Sequence, residues 1–255
     1  MRLRTLKRAA ISTAIAASVT LLLSSCSSEN ISGLGYEKGL SSVNDITLPL
    51  WQGAWITAGI VGVLTAILIL WPVFFNRRKK GDTSFPKQTR YNIPAEIVYT
   101  VVPFIIVAVL FYFTATKEAK ITKLSPTANV AHTVDVKGIQ WSWQFTYQDA
   151  QGATKPTVTG TPEKPPVLYL AQGEAVRLNI TANDVAHAFQ IHPFLIQMQA
   201  LPGVENHLEF IPNKIGTYPG FCNILCGRGH TYMRFYVKVV SPADYETYIN
   251  SVKAA

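Results

Sequence analysis

Residues 222–233 read Cys222-Asn223-Ile224-Leu225-Cys226-Gly227-Arg228-Gly229-His230-Thr231-Tyr232-Met233. Two thiols, an imidazole and a thioether fall within these twelve residues. Thiolate and thioether are soft ligands that suit copper, and imidazole suits it as well. A cysteine four residues before a histidine, with a methionine three after it, is the spacing of a loop that wraps a metal centre. One cysteine would make a mononuclear site, whereas two can each bridge two metals. Other readings of the cysteines are a disulfide and a zinc site, although zinc leaves the methionine spacing unused. A second histidine has to come from elsewhere, and His132, His187, His192 and His207 are the candidates. Asp184-Val185-Ala186-His187, polar then apolar as a strand begins, favours His187. His192 precedes Pro193 and reads as a surface turn residue.

The sequence around this loop has strand character. Residues 133–137, 141–147, 167–171, 175–181, 186–191, 207–211 and 232–240 are short runs rich in β-branched and aromatic side chains. Proline and glycine clusters separate them (152–166, Pro202-Gly203, Pro219-Gly220). Regular short strands over this length predict an antiparallel β-sandwich or barrel. A short final helix is expected from Ser241, with Pro242 at its first position and Asp244 three residues after the cap.

Upstream the composition changes. Residues 50–75 carry no charge over 26 positions, which as a helix reach about 39 Å, beyond the ~30 Å hydrocarbon core of a bilayer. Trp51, Trp55 and Trp71 lie near the ends, where amphipathic rings favour the interface. Residues 97–115 form a second uncharged run, with Pro103 suggesting a kink. The short connection carries Arg77-Arg78-Lys79-Lys80, Lys87 and Arg90, a basic loop expected to stay cytoplasmic. Both outer helix ends, and the large C-terminal domain, then lie outside the cytoplasm.

The first residues have the order of an export signal: Arg2, Arg4, Lys7 and Arg8, an apolar stretch over 9–23, then Leu23-Ser24-Ser25-Cys26. Small residues before a cysteine match the lipobox pattern, which predicts cleavage before Cys26 and lipidation of that residue. The other reading is a plain signal or uncleaved helix with Cys26 incidental. The expected organisation is therefore a signal over 1–25, an N-terminal segment with two membrane helices over 26–115, and an extracytoplasmic domain over 116–255.

The net charge of +8 does not describe a nucleic-acid binder. The four basic residues at the start account for half of it, and the remainder is divided between the segments flanking the spans and the outer domain, leaving no basic stripe for a phosphate backbone. No Cys-x-x-Cys-His motif occurs, so no c-type haem is expected on this chain.

Several segments together resemble one family. Residues 222–233 resemble the C-x-E-x-C-G-x-x-H-x-x-M loop of cytochrome c oxidase subunit II. Asp184-Val185-Ala186-His187 resembles its D-V-x-H segment, Ala200-Leu201-Pro202-Gly203 its A-I-P-G turn, and Gly138-Ile139-Gln140-Trp141-Ser142-Trp143 its G-x-Q-W-x-W segment. Residues 96–103 resemble the E-x-x-x-T-x-x-P start of its second helix. The matches follow family order from about residue 50 to 250.

The resemblance implies a two-helix hairpin followed by a cupredoxin domain whose dinuclear copper A centre accepts electrons from cytochrome c, or from a membrane-bound cytochrome c domain. The electrons would pass to the haem of subunit I, where oxygen is reduced to water with proton pumping. Partners would be subunit I, other oxidase subunits and membrane lipid; the location would be the cell membrane. The implied copper ligands are His187, Cys222, the backbone carbonyl of Ile224, Cys226, His230 and Met233.

Ile224 departs from the family's glutamate, whose side chain reaches an interfacial magnesium, so the resemblance leaves that magnesium in doubt. Trp141 falls on the electron-entry tryptophan. It also belongs to a stripe with Trp143, Phe145 and Tyr147 on one strand face, and such a stripe reads as core. Glu96 falls at the mouth of a proton path, and it also reads as an acid favoured near a helix N-terminus.

Rival readings are the copper subunit of a nitric oxide reductase, nitrous oxide reductase (which needs a second large domain), quinol oxidase subunit II (which lacks the cysteines) and a free blue-copper carrier (which has one cysteine and no spans).

Overall fold

The computed structural model describes residues 34–85, 88–148 and 154–253. Cys26 and Lys87 lie outside the described residues.

Helix α1 spans Ser42–Phe75 and α2 spans Ile93–Ile121, and the two pack on one another. Both extend past the uncharged runs because each begins on a polar cap. Ser41 Oγ accepts from the Asn44 amide at 3.1 Å, and Asn92 Oδ1 accepts from the Ala95 amide at 3.3 Å. The last turns of α2 continue through Lys117, Glu118 and Lys120. Within the spans, the hydroxyls of Thr57, Thr65 and Thr114 donate to the carbonyl four residues back, which hides them from an apolar surround. The lateral side chains are exposed, and α2 runs unbroken through Pro103.

The outer domain is two facing five-stranded sheets. The strands are β1 His132–Ile139, β2 Ser142–Gln148, β3 Thr154–Thr159, β4 Val167–Ala171, β5 Val176–Ala182, β6 His187–Ile191, β7 Ile196–Ala200, β8 Asn206–Phe210, β9 Gly216–Cys222 and β10 Arg234–Val240. One sheet is ordered β3-β2-β1-β5-β8 and the other β4-β10-β9-β6-β7. Two pairings, β1 with β5 and β4 with β10, are parallel, so the sandwich is mixed rather than wholly antiparallel. The cause is connectivity: the chain leaves the first sheet after β3, forms β4 in the second, and returns as β5 beside β1.

Alternation fills the space between the sheets. On β2, Trp143, Phe145 and Tyr147 point inward while Gln144, Thr146 and Gln148 do not. Phe189 of β6 and Phe235 of β10 stack at 4.4 Å between ring centres, and Trp143 meets Phe189 edge-on at 5.3 Å. Each fully buried ring contributes on the order of 1.5–3 kcal/mol. A final helix, α3, spans Pro242–Lys253. Its cap is reciprocal at Ser241: the Asp244 amide donates to Ser241 Oγ, which donates to the Asp244 carboxylate.

Candidate metal centre

The second sheet brings the soft ligands together at one end. His187 opens β6, Cys222 closes β9, and Met233 directly precedes β10. Cys222 pairs with Phe189 across β6–β9, which sets the sulfur beside His187. Two backbone bonds close the loop between them: the Cys222 amide to the Met233 carbonyl at 3.0 Å, and the Asn223 amide to the Ala188 carbonyl at 3.1 Å.

The two sulfurs lie 3.7 Å apart, well beyond the ~2.05 Å of a disulfide; both thiols are free and buried. Each sulfur has its own histidine. His187 Nδ1 is 3.9 Å from Cys222 Sγ, and His230 Nδ1 is 3.7 Å from Cys226 Sγ. Met233 Sδ is 3.8 Å from Cys226 Sγ, and the Ile224 carbonyl oxygen is 3.2 Å from Cys222 Sγ. His187, Cys222 and Cys226 place their ligand atoms within 4.8 Å of one another. This donor set is soft and nearly closed to solvent, which suits a copper centre and leaves no hard-oxygen cage for calcium or magnesium.

Burial and electrostatics prepare these groups. Burial opposes ionisation of the Cys222 thiol, but hydrogen bonding to His187, to the backbone at Ala188 and Ile224, and to His230 lowers its pKa. Burial and the neighbouring Cys222 push Cys226 the other way. The pair thus loses its first proton readily and its second reluctantly, and a bound cation favours the doubly ionised form. Burial also disfavours the charged His187 ring, yet its bonds to Cys222 and Asp184 raise it.

Asp184 organises the site from behind. Its carboxylate meets His187 Nε2 at 2.9 Å and accepts from the backbone amides of Val185 and Gln140, each at 2.7 Å. His187 Nδ1 is thereby directed at the cysteines, as expected for a ligating imidazole fixed through its other nitrogen. Gly138 of β1 lies against the His187 ring; a Cβ there would sit 2.8 Å from Cδ2.

Trp141 leaves the aromatic stripe. It occupies the turn between β1 and β2, ahead of the strand that holds Trp143, Phe145 and Tyr147, and it is half-buried over the metal loop. Its indole lies against Gly227 and Gly229, and its Nε1 donates to the Cys226 carbonyl at 3.1 Å. Gln140 Nε2 donates to the same oxygen at 2.8 Å.

The remaining histidines have other surroundings. His132 pairs with Glu174, His207 Nδ1 meets Asn179 Oδ1 at 3.0 Å, and His192 is exposed in a 3₁₀ turn. Glu96 sits in the first turn of α2, where its carboxylate accepts from the Asn92 amide at 3.1 Å. Sequence reasoning used Asp184 only as part of a motif and passed over Gln140 as a contact to the loop. The signals were the Asp–His spacing of three residues and the polar residue beside Trp141.

The model of the family described as cytochrome c oxidase subunit II, periplasmic domain, matches residues 163–240. The chain is 38% identical, over 98% of its length and 88% of the relative's, to a probable cytochrome c oxidase subunit 2 of Streptomyces coelicolor. It is 31% identical, over 97% of its length and 81% of the relative's, to cytochrome c oxidase subunit 2 of Mycobacterium tuberculosis. Among solved structures, the periplasmic domain of subunit II of cytochrome oxidase from Bradyrhizobium japonicum is 25% identical. That match has a TM-score of 0.45 and covers 49% of this chain and 95% of that one.

Proposed function

Since the chain belongs to the cytochrome c oxidase subunit II family, we propose that it is the electron-entry subunit of a haem-copper oxidase and holds a dinuclear copper centre outside the cell membrane. The observation that carries this reading is the pair of buried sulfurs 3.7 Å apart, each with its own histidine. His187, Cys222, Cys226, His230, Met233 and the Ile224 carbonyl are the proposed ligands. Copper bound by them would supply one-electron redox chemistry.

The residues of the chain do the rest. Asp184 fixes the His187 ring, and the β6–β9 pairing fixes Cys222 beside it. A centre held this rigidly by strands changes shape little when its charge changes, which favours fast outer-sphere transfer. Trp141 sits half-buried outside Cys226, and exposed Leu225 and Tyr232 flank the loop, an apolar surface suited to a cytochrome c or a membrane-bound cytochrome c domain. Electrons entering at Trp141 would leave towards the haem of subunit I, where oxygen is reduced to water with proton translocation. Glu96, at the inner end of α2, is proposed for the mouth of a proton path into that subunit. Cys26 is proposed as the lipidated N-terminus, with residues 1–25 removed as a signal and 116–255 as the copper domain.

The test is metal content and electron-spin resonance of the full chain in detergent after copper loading. Two coppers per chain with hyperfine coupling shared over both are expected, and Cys226→Ser should abolish the shared signal. A ratio near one, or a signal confined to one copper, would overturn the dinuclear assignment.

A further inference from the structure

The outer ends of α1 and α2 enclose a cleft that electron transfer does not use. In its lower part Leu50, Gly53 and Ala54 of α1 face Val109, Leu110 and Phe113 of α2 around a cavity of about 400 Å³. Above it a crevice of about 630 Å³ opens under β7, where Thr114, Glu118, Thr122, Gln197, Gln199 and Asn206 supply polar groups. Leu50 and Lys117 line both spaces, so the two adjoin at that level.

We propose that this cleft seats one phospholipid with an amine headgroup, its acyl chains between the helices and its phosphate on Lys117. The order of chemistry along the cleft is that of an amphiphile: apolar below, a cation at the junction, hydrogen-bonding groups above. Depth agrees. Lys117 stands one turn, about 6 Å, beyond Phe113 on α2, and on α1 Trp51 directly follows Leu50, which lines both spaces with Lys117; tryptophan favours the headgroup region. Lys117 is half-buried and makes no hydrogen bond or ion pair among the described residues. A half-buried ammonium without a counter-charge has charge-assisted hydrogen bonds to gain from a phosphodiester.

Glu118 lies beside it on the upper crevice, its carboxylate likewise unpaired among the described residues. A primary ammonium headgroup has N–H donors for that carboxylate; a quaternary one has none. Gly53 and Ala54 keep the wall of the cleft low enough for acyl chains. A transmembrane helix in the same place would enclose Lys117 without neutralising it unless it brought its own acid.

Native mass spectrometry of the full chain, taken from nanodiscs of mixed phosphatidylethanolamine, phosphatidylglycerol and phosphatidylcholine, tests the assignment. One phosphatidylethanolamine is expected to survive stripping of the other lipids. Lys117→Gln should lower its retention about fivefold, the factor matching the ~1 kcal/mol of one interfacial cation. Glu118→Gln should erase the preference over phosphatidylcholine. Gly53→Leu should abolish retention: a Cβ at Gly53 meets nothing outside its own helix within 4 Å, so the added side chain projects into the cleft. An excess of inorganic phosphate should not displace the lipid. Equal retention in wild type, Lys117→Gln and Gly53→Leu would overturn the proposal. So would displacement by phosphate alone, or a photo-crosslink from position 54 in the assembled oxidase landing on another subunit's helix. Lipid retention is read without copper, so its failure is distinct from failure of the electron-transfer reading.

Discussion

The indole of Trp141 and the backbone of Cys226 are joined by a hydrogen bond: Nε1 donates to the Cys226 carbonyl at 3.1 Å. The acceptor belongs to a residue whose sulfur lies within 4 Å of Cys222, His230 and Met233. An aromatic side chain reaching the molecular surface is thus one hydrogen bond from a proposed metal ligand. Trp143, two residues on, is fully buried and faces the opposite sheet.

Trp141→Phe removes the donor and keeps a ring against Gly227 and Gly229. The lost bond should lower stability by about 1 kcal/mol. Copper content should stay at the wild-type level while reduction by a cytochrome c slows. Stopped-flow reduction of the copper-loaded complex, compared with metal analysis of the same sample, decides the matter; unchanged transfer would return Trp141 to a packing role.

Gly229→Ala offers an independent route to the same perturbation. A Cβ at position 229 would sit 2.5 Å from Cδ2 of the Trp141 indole, so the ring must move. Overpacking of this kind costs roughly 1–3 kcal/mol. Slower reduction with copper retained is the expected outcome, without any change to the aromatic residue itself. Wild-type kinetics in this variant would show that the indole position is not rate-determining.

Much of this arrangement was legible before the fold was known. The spacing of residues 222–233 pointed to a metal loop because four ligand side chains of three types within twelve residues can close on a centre without help from topology. Charge-free runs located the spans, although helix ends set by Ser41 and Asn92 caps and by polar α2 turns lay beyond hydropathy. Strands β3, β7 and β9 were missed. Thr154–Thr159 and Gly216–Cys222 contain the prolines and glycines that read as breaks, and β9 tolerates Pro219-Gly220 because Gly220 lies under the Phe235 ring. The parallel pairings were hidden because side-chain alternation carries no direction. Trp141 read as strand because its spacing continues that of Trp143, but it lies in the turn between β1 and β2 while Trp143 lies in β2.

Asp184→Asn should weaken copper loading. The carboxylate holds His187 Nε2 and two backbone amides at once, whereas an amide oriented to accept from backbone gives the imidazole a weaker, uncharged partner. Loss of such a supporting group typically costs 10–100-fold in metal affinity. Competition with a copper(I) chelator measures it. An affinity equal to wild type would mean that the β6 strand alone orients the ring.

Glu209 gives the domain a defined acid response. Burial raises its carboxyl, but bonds from Ser125 and Arg177 outweigh this and hold it below its ordinary value of 4.5. A depressed carboxyl contributes stability that is complete above the unfolded value and is lost as pH falls through the folded one. The relevant window therefore opens near pH 4.5 and extends downward. Arg177 also donates to the Ser125 carbonyl, so the pair ties the linker after α2 to β5 and β8. Thermal melting of the full chain in detergent should show Glu209→Gln less stable than wild type at pH 7, with the difference shrinking below pH 4.5. A constant difference across that range would remove Glu209 from the acid response.

Ile224 separates two jobs that one residue could perform. Its carbonyl oxygen lies 3.2 Å from Cys222 Sγ, so the backbone faces the proposed copper site. The side chain is an alkyl group with no oxygen to offer a hard cation such as magnesium, which wants oxygen ligands. Its neighbours Asn223 and Leu225 are exposed and carry no acid, and Arg228 adds positive charge to the loop. Copper binding should therefore be indifferent to the side chain at this position, while any magnesium at the interface with subunit I must be held without it. Ile224→Glu should leave the copper absorption and electron-spin spectra nearly unchanged and add a site for manganese, supplied as a paramagnetic substitute for magnesium, in the assembled complex. A large change in the copper spectrum would mean that the loop backbone moves with the side chain. A tightly held manganese coordinated by the unmodified chain would show that an oxygen ligand other than residue 224 serves the metal.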